Sequence, residues 1–71
     1  MKEEYLRHLF KIAPNHSKEI TEATIDHLCH GLSQDKAAEK HHTVQSSVGR
    51  TVSKIRKLDL LIKEAIIIKI S

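Results

Sequence analysis

The segment from Gln45 to Lys57, "QSSVGRTVSKIRK", mixes hydrogen-bonding side chains with cations and contains no acid. Each residue type suits a nucleic acid. Glutamine pairs with adenine edges, serine with several bases, and arginine with guanine or with a narrow minor groove. Lysine and arginine further along hold phosphates, which position a protein on a duplex without reading its sequence. The candidate DNA-contacting residues are therefore Gln45, Ser46, Ser47, Gly49, Arg50 and Ser53, with Lys54, Arg56 and Lys57 for phosphates. Gly49 costs a helix about 1 kcal/mol relative to alanine, a cost that makes sense if a close surface such as a DNA backbone must approach it. Residue by residue, the plain alternative is a solvated helix face.

Two other chemistries have candidate residues. Six histidines in 71 residues invite a metal reading, with His27, Cys29 and His30 close together and His27 and His30 able to share a helix face. A tight site needs further ligands, His41 and His42 would have to fold back to supply them, and Cys29 falls on an apolar stripe where a buried thiol is the commoner explanation. No metal or other cofactor is expected. Ser, His and Asp are present, but no strand-turn-helix elbow or Gly-rich phosphate loop holds them, and so short a chain encloses little pocket. The chain is not expected to be an enzyme or to hold a small-molecule ligand.

The charge is unevenly placed. From Met1 to Glu39 five Lys/Arg stand against seven Asp/Glu, net −2; from Lys40 to Leu58 there are five Lys/Arg and no acid, net +5; from Asp59 to Ser71 two of each cancel. A positive segment of this kind is the footprint of an element that meets phosphate. Seventy-one residues make one domain with one small core. The single cysteine rules out an internal disulfide, and "MKEEYLRHLF" is charged throughout, which argues against a signal peptide and for a reducing cytoplasm. No apolar run reaches the roughly 18 residues of a membrane span. Two Gly, one Pro, no Trp and only Tyr5 and Phe10 as large aromatics favour helices packed through aliphatic side chains.

The elements that must position the basic segment can be read from periodicity. Tyr5, Leu6, Leu9, Phe10 and Ala13 share one helical face, ended by Pro14 and Asn15. Ser17 is a plausible N-cap for a second helix whose apolar stripe is Ile20, Thr24, Ile25, Leu28, Cys29 and Leu32. Gly31 suits a left-handed helix end, and Ser33 can cap the next helix. That helix lasts about two turns, because "KHHT" interrupts the pattern; Ala37 and Ala38 point inward and let another helix cross at close range. A longer helix begins near Val44, with Val48, Val52, Ile55, Leu58 and Ile62 as its stripe. The tail "AIIIKIS" is β-branched and fits either a helical extension or a strand.

A short helix, a tight turn and a second helix over about residues 33–58 meet the steric demands of a helix-turn-helix, whose second helix enters the major groove. His42 sits in the turn where a left-handed residue is needed, a place His fills less well than Gly. The rival is a helical protein–protein interaction module without DNA binding, built on the apolar stripe from Val48 to Ile62 and the isoleucines from Ile66 to Ile70. Such a module gives no reason for stripping every acid from Lys40 to Leu58.

"HSKEITEATIDHLCHGLSQDKAAEKHHTVQSSVGRTVSKIRKL" resembles the PapB-type regulators of fimbrial (adhesin) operons in enteric bacteria. The likeness rests on the His-Ser opening at His16 and Ser17, the Gly-x-Ser at Gly31 and Ser33, Glu39 before the turn, and the Gly-Arg pair Gly49 and Arg50. It spans about Leu9 to Leu61. The chain departs from the family at Ala38, where Cys is common, at "TVQSS", where aromatic or Asn-rich residues are common, and in its isoleucine-rich tail. The resemblance implies a small all-helical protein that binds AT-rich promoter DNA, oligomerises along it and switches adhesin expression, with Arg50 as the DNA-contacting arginine.

The expectation is thus an all-α, single-domain, helix-turn-helix transcriptional regulator over residues 1–71, bacterial and cytoplasmic, nucleoid-associated when bound. It would bind double-stranded DNA cooperatively as a homodimer or higher homo-oligomer, with the tail 63–71 either an oligomerisation element or disordered.

Overall fold

A computed structural model describes all residues 1–71, and it is entirely helical: α1 (Glu3–Ile12), α2 (Lys18–Cys29), α3 (Gln34–Lys40) and α4 (Gln45–Ile70). The ends of these helices follow from local chemistry. Glu3 and Glu4 sit in the first turn of α1 and Lys11 in its last, each sign matched to the helix dipole. Pro14 follows at once, and the chain folds back so that the rings of Phe10 and His16 meet edge to face at 5.4 Å. The Ser17 hydroxyl accepts from the Ile20 amide at 3.2 Å and the Ser33 hydroxyl from the Lys36 amide at 3.1 Å, so both serines cap as their positions suggest. Between α2 and α3 the chain reverses at Gly31 with φ +77°, a left-handed conformation that glycine adopts without strain.

The apolar pattern breaks after α3, and so does the helix. His42 takes φ +56° there, the one non-glycine residue with positive φ. The left-handed residue lets the Thr43 amide reach back to the Ala38 carbonyl at 2.9 Å, and α4 starts after Val44.

Two groups of side chains fill the interior. Leu6, Leu9 and Phe10 of α1 meet Ile25 of α2 and Ile55 of α4, with Tyr5, Leu58 and Ile62 packed at the edge. Ala23, Ala37, Ala38, Val48 and Val52 join α2, α3 and α4, and Leu28 touches both groups. The alanines matter for geometry: Ala23 and Ala37 are wholly buried, so the three helices approach through methyl groups rather than long side chains. Buried Thr24 and Thr51 return their hydroxyls to the Ile20 and Ser47 carbonyls, at 2.8 and 3.0 Å. No buried side-chain polar atom is left without a partner.

The structure differs from the sequence expectation in a few places. Ala13 is only half-buried, just past the end of α1. In α2 the buried face is centred on Ala23 to Asp26, and Cys29 is half-buried at its rim. The tail is helical rather than a strand: α4 runs unbroken for 26 residues, about 39 Å. Nothing interrupts its i to i+4 ladder, and Leu60, Leu61, Ala65 and Glu64 favour helix enough to carry the isoleucines with them. From Lys63 onward every residue is exposed, and the molecule is elongated, 44 × 23 × 19 Å.

Candidate nucleic-acid interface

The first four turns of α4 are held from one side. Val48, Thr51, Val52 and Ile55 are buried, which fixes the rotation of the helix and decides which residues face out. At about 100° per residue, Ser46, Arg50, Ser53 and Lys57 fall within about 60° of one another and opposite Val48. All four are exposed. They form a straight ridge along the helix.

The other candidates flank that ridge. Ser47 and Lys54 lie on one side; Gln45, Gly49 and Arg56 lie on the other, where α3 comes close. Gln45 donates from its side-chain amide to the Gln34 carbonyl oxygen at 3.3 Å. A Cβ on Gly49 would lie 3.0 Å from that same Gln34 oxygen. The nearest surface to Gly49 within the chain is therefore the tip of a flexible α3 side chain. Ser47 is half-buried and accepts a 3.3 Å hydrogen bond from the Arg50 guanidinium, which lies along the surface.

None of the molecule's ion pairs uses Arg50, Lys54, Arg56 or Lys57. The acids of the chain are engaged or placed elsewhere: Arg7 bridges Glu3 and Glu22, and Lys63 holds Asp59. No side chain caps the N-terminus of α4, so the positive end of its dipole opens onto solvent at the same edge as Gln45 and Ser46. The surface depressions of the molecule lie along α1 and against Asp59 and Lys63, away from this ridge.

Asp26 of α2 gathers a polar cluster that the sequence did not reveal. Asp26, only 6 % exposed, accepts from His41 Nε2 at 2.5 Å, from His30 Nδ1 at 2.7 Å and from Lys40 Nζ at 3.2 Å. His30 Nε2 in turn meets Glu3 at 2.8 Å. Burial pushes the Asp26 carboxyl up, but the hydrogen bonds from His41, His30 and Lys40 outweigh it and hold the group well below the usual carboxylate range. The same contacts with Asp26, and then Glu3, raise His30 above the ordinary imidazole value. One signal was readable in advance: Asp26 and His30 stand four residues apart on one helix face. The contributions of Lys40 and His41 come from another part of the chain.

The residues considered as metal ligands do not converge. His27 Nδ1 meets the Leu32 carbonyl at 2.7 Å, both nitrogens of His30 are engaged by carboxylates, and burial pushes the Cys29 thiol up. His41 folds back onto Asp26, and His42 is exposed.

No protein family, curated protein or solved structure matches this chain. What it does must therefore be argued from its own residues. No helix is long and apolar enough to cross a membrane.

Proposed function

We propose that the chain is a sequence-preferring DNA-binding transcriptional regulator in which α3, the turn at His41–Val44 and the start of α4 act as a helix-turn-helix. The observation that carries this reading is the exposed ridge of Ser46, Arg50, Ser53 and Lys57, flanked by Lys54 and Arg56 without an acid among them. Arg50, with Gln45, Ser46 and Ser47 at the helix start, engages base edges; Lys54, Arg56 and Lys57 hold phosphates. The resemblance to PapB-type regulators adds the substrate and the setting: AT-rich promoter DNA of a fimbrial operon, in a bacterial cytoplasm, with neighbouring copies adding affinity along the duplex.

A second reading, a helical protein–protein interaction module, is favoured by one observation. Leu60, Leu61, Ile66, Ile67, Ile68 and Ile70 are each at least half exposed on the free end of α4. A helix apolar on all sides is ordinarily enclosed. In the regulator reading further copies of the chain cover this end, so the two surfaces serve one protein.

Titration of isotopically labelled protein with a short AT-rich duplex separates the readings. Amide shifts clustered at Ser46, Arg50, Ser53 and Lys57 are expected. Shifts absent there under low salt would discard DNA binding and leave the interaction module.

A further inference from the structure

The exposed apolar residues at the free end of α4 are not equivalent. At about 100° per residue, Leu58, Leu61, Ala65 and Ile68 fall within about 80° of one another, and their spacing is that of the a and d positions of two heptads. Leu58 lies half-buried at the rim of the core, Leu61 and Ile68 are 50% and 76% exposed, and Ala65 is exposed. The stripe is turned about 100° from the buried Ile55, so the chain's own bundle leaves it uncovered beyond Leu58. Asp59, held by Tyr5 and Lys63, lies with Lys63 on the far side of the helix. The remaining apolar residues form no comparable stripe. Ile66 and Ile70 prolong the face of Ile55 and Ile62, and Leu60 and Ile67 have Lys63 and Glu64 between them.

Two charged residues border the stripe, one on each side: Glu64 at a g position and Lys69 at an e position. Both are exposed, and neither takes part in an ion pair within the chain. Their placement separates the two ways in which another α4 can lie along the stripe. In a parallel pair, the g residue of one helix meets the e residue of the partner's following heptad, so Glu64 of each copy meets Lys69 of the other. The second bordering pair, Lys57 and Ile62, sets no like charges together. In an antiparallel pair that stacks Leu58 on Ile68 and Leu61 on Ala65, g faces g and the two Glu64 carboxylates oppose each other. Ala65 lets the axes approach closely, and α4 is already helical from its anchors Val48, Val52 and Ile55, so association orders little new backbone.

We propose that a second copy of this chain covers the stripe, the two α4 helices lying in parallel with Glu64 of each against Lys69 of the other. This deepens the regulator reading by giving the partner an orientation; the pairing belongs to the free protein, and only its consequence at DNA rests on that reading. A parallel pair presents both Arg50 ridges at the same end of the assembly, where an antiparallel pair sets them at opposite ends. Two ridges at one end raise each other's effective concentration on a duplex.

Sedimentation equilibrium of Glu64→Lys and Lys69→Glu, singly and together, tests the pairing. Both sites are exposed, so each variant should keep its helical circular dichroism. Each single variant should raise the dissociation constant of self-association roughly tenfold at low salt, as two attractive contacts become repulsive. The double variant should restore it, and an equimolar mixture of the single variants should associate more tightly than either alone. Spin labels at Ser46→Cys in a Cys29→Ser background read the direction: below about 30 Å between labels in a parallel pair, about 50 Å or more in the antiparallel one. A chain monomeric at every concentration, a label distance near the antiparallel value, or a double variant no tighter than the single ones overturns the proposal. Anisotropy titration of a labelled AT-rich duplex runs alongside. Pairing as expected with no duplex binding by the original chain discards the regulator reading and leaves the parallel pair standing.

Discussion

At the scale of single residues, Gly49 and Arg50 stand side by side but answer different questions. Gly49 lies against the end of the Gln34 side chain, which can swing away. Gly49→Ala should therefore stabilise the fold, by up to about 1 kcal/mol from helix propensity, and raise the melting temperature by several degrees. A lower melting temperature would mean that Gln34 is held in place by its contact with Gln45. If the DNA backbone also passes close to Gly49, the same variant binds duplex more weakly while being the more stable protein. Asp26 is the residue that composition and periodicity could not expose. Its pairing with His30 is local, but its contacts with Lys40 and His41 cross 14 and 15 positions of chain. Single-residue signals with a local cause were legible: the caps at Ser17 and Ser33 and the left-handed Gly31 and His42 stand where the chain's turn chemistry puts them.

At the scale of elements, α4 changes along its axis from a helix buried on one side to one exposed all round. Its first half is anchored by Val48, Val52 and Ile55, all three at valine-isoleucine spacing that reads as a helix from the sequence, and the anchoring alone fixes the ridge outward. Exposure of the candidate residues followed from that periodicity, except for Ser47 and Gly49, which are half-buried, and the closeness of Gln45 and Gly49 to Gln34 depends on how α3 and α4 cross. Lys54 and Lys57 lie on different parts of the exposed arc. Lys54→Gln and Lys57→Gln should each lower affinity for all duplexes alike and reduce the slope of log affinity against log salt by about 0.9. An unchanged slope in either variant would place that lysine in solvent in the complex. The tie between Tyr5 and Asp59, a 2.5 Å hydrogen bond that lowers Asp59 together with Lys63, pins α1 to the middle of α4 and was not readable, because it joins residues 54 apart.

For the whole molecule, the contrast is between a small closed core and a long apolar end. The core is complete by Ile62, and the exposed isoleucines beyond it add nothing to the stability of a single chain. The double substitution Ile66→Lys and Ile68→Lys should thus leave the unfolding free energy within about 0.5 kcal/mol of the original. Sedimentation equilibrium over a range of concentrations should show self-association of the original chain and a monomer for the variant. An original chain that stays monomeric at every concentration would show that this end is not covered by further copies. The same division explains why the tail resisted reading: β-branched residues weigh against helix locally, and here an established helix carries them.

The central claim is that the ridge around Arg50 recognises DNA, and the most direct measurement compares the original chain with Arg50→Ala on AT-rich and mixed-sequence duplexes by fluorescence anisotropy at several salt concentrations. Arg50 is exposed and contributes no buried contact, so the substitution should leave the helical circular dichroism unchanged. The expected result is tight, salt-dependent binding that prefers one duplex, with that preference lost in Arg50→Ala. Equal sequence preference in the two proteins, or no binding at low salt by the folded original, would contradict it.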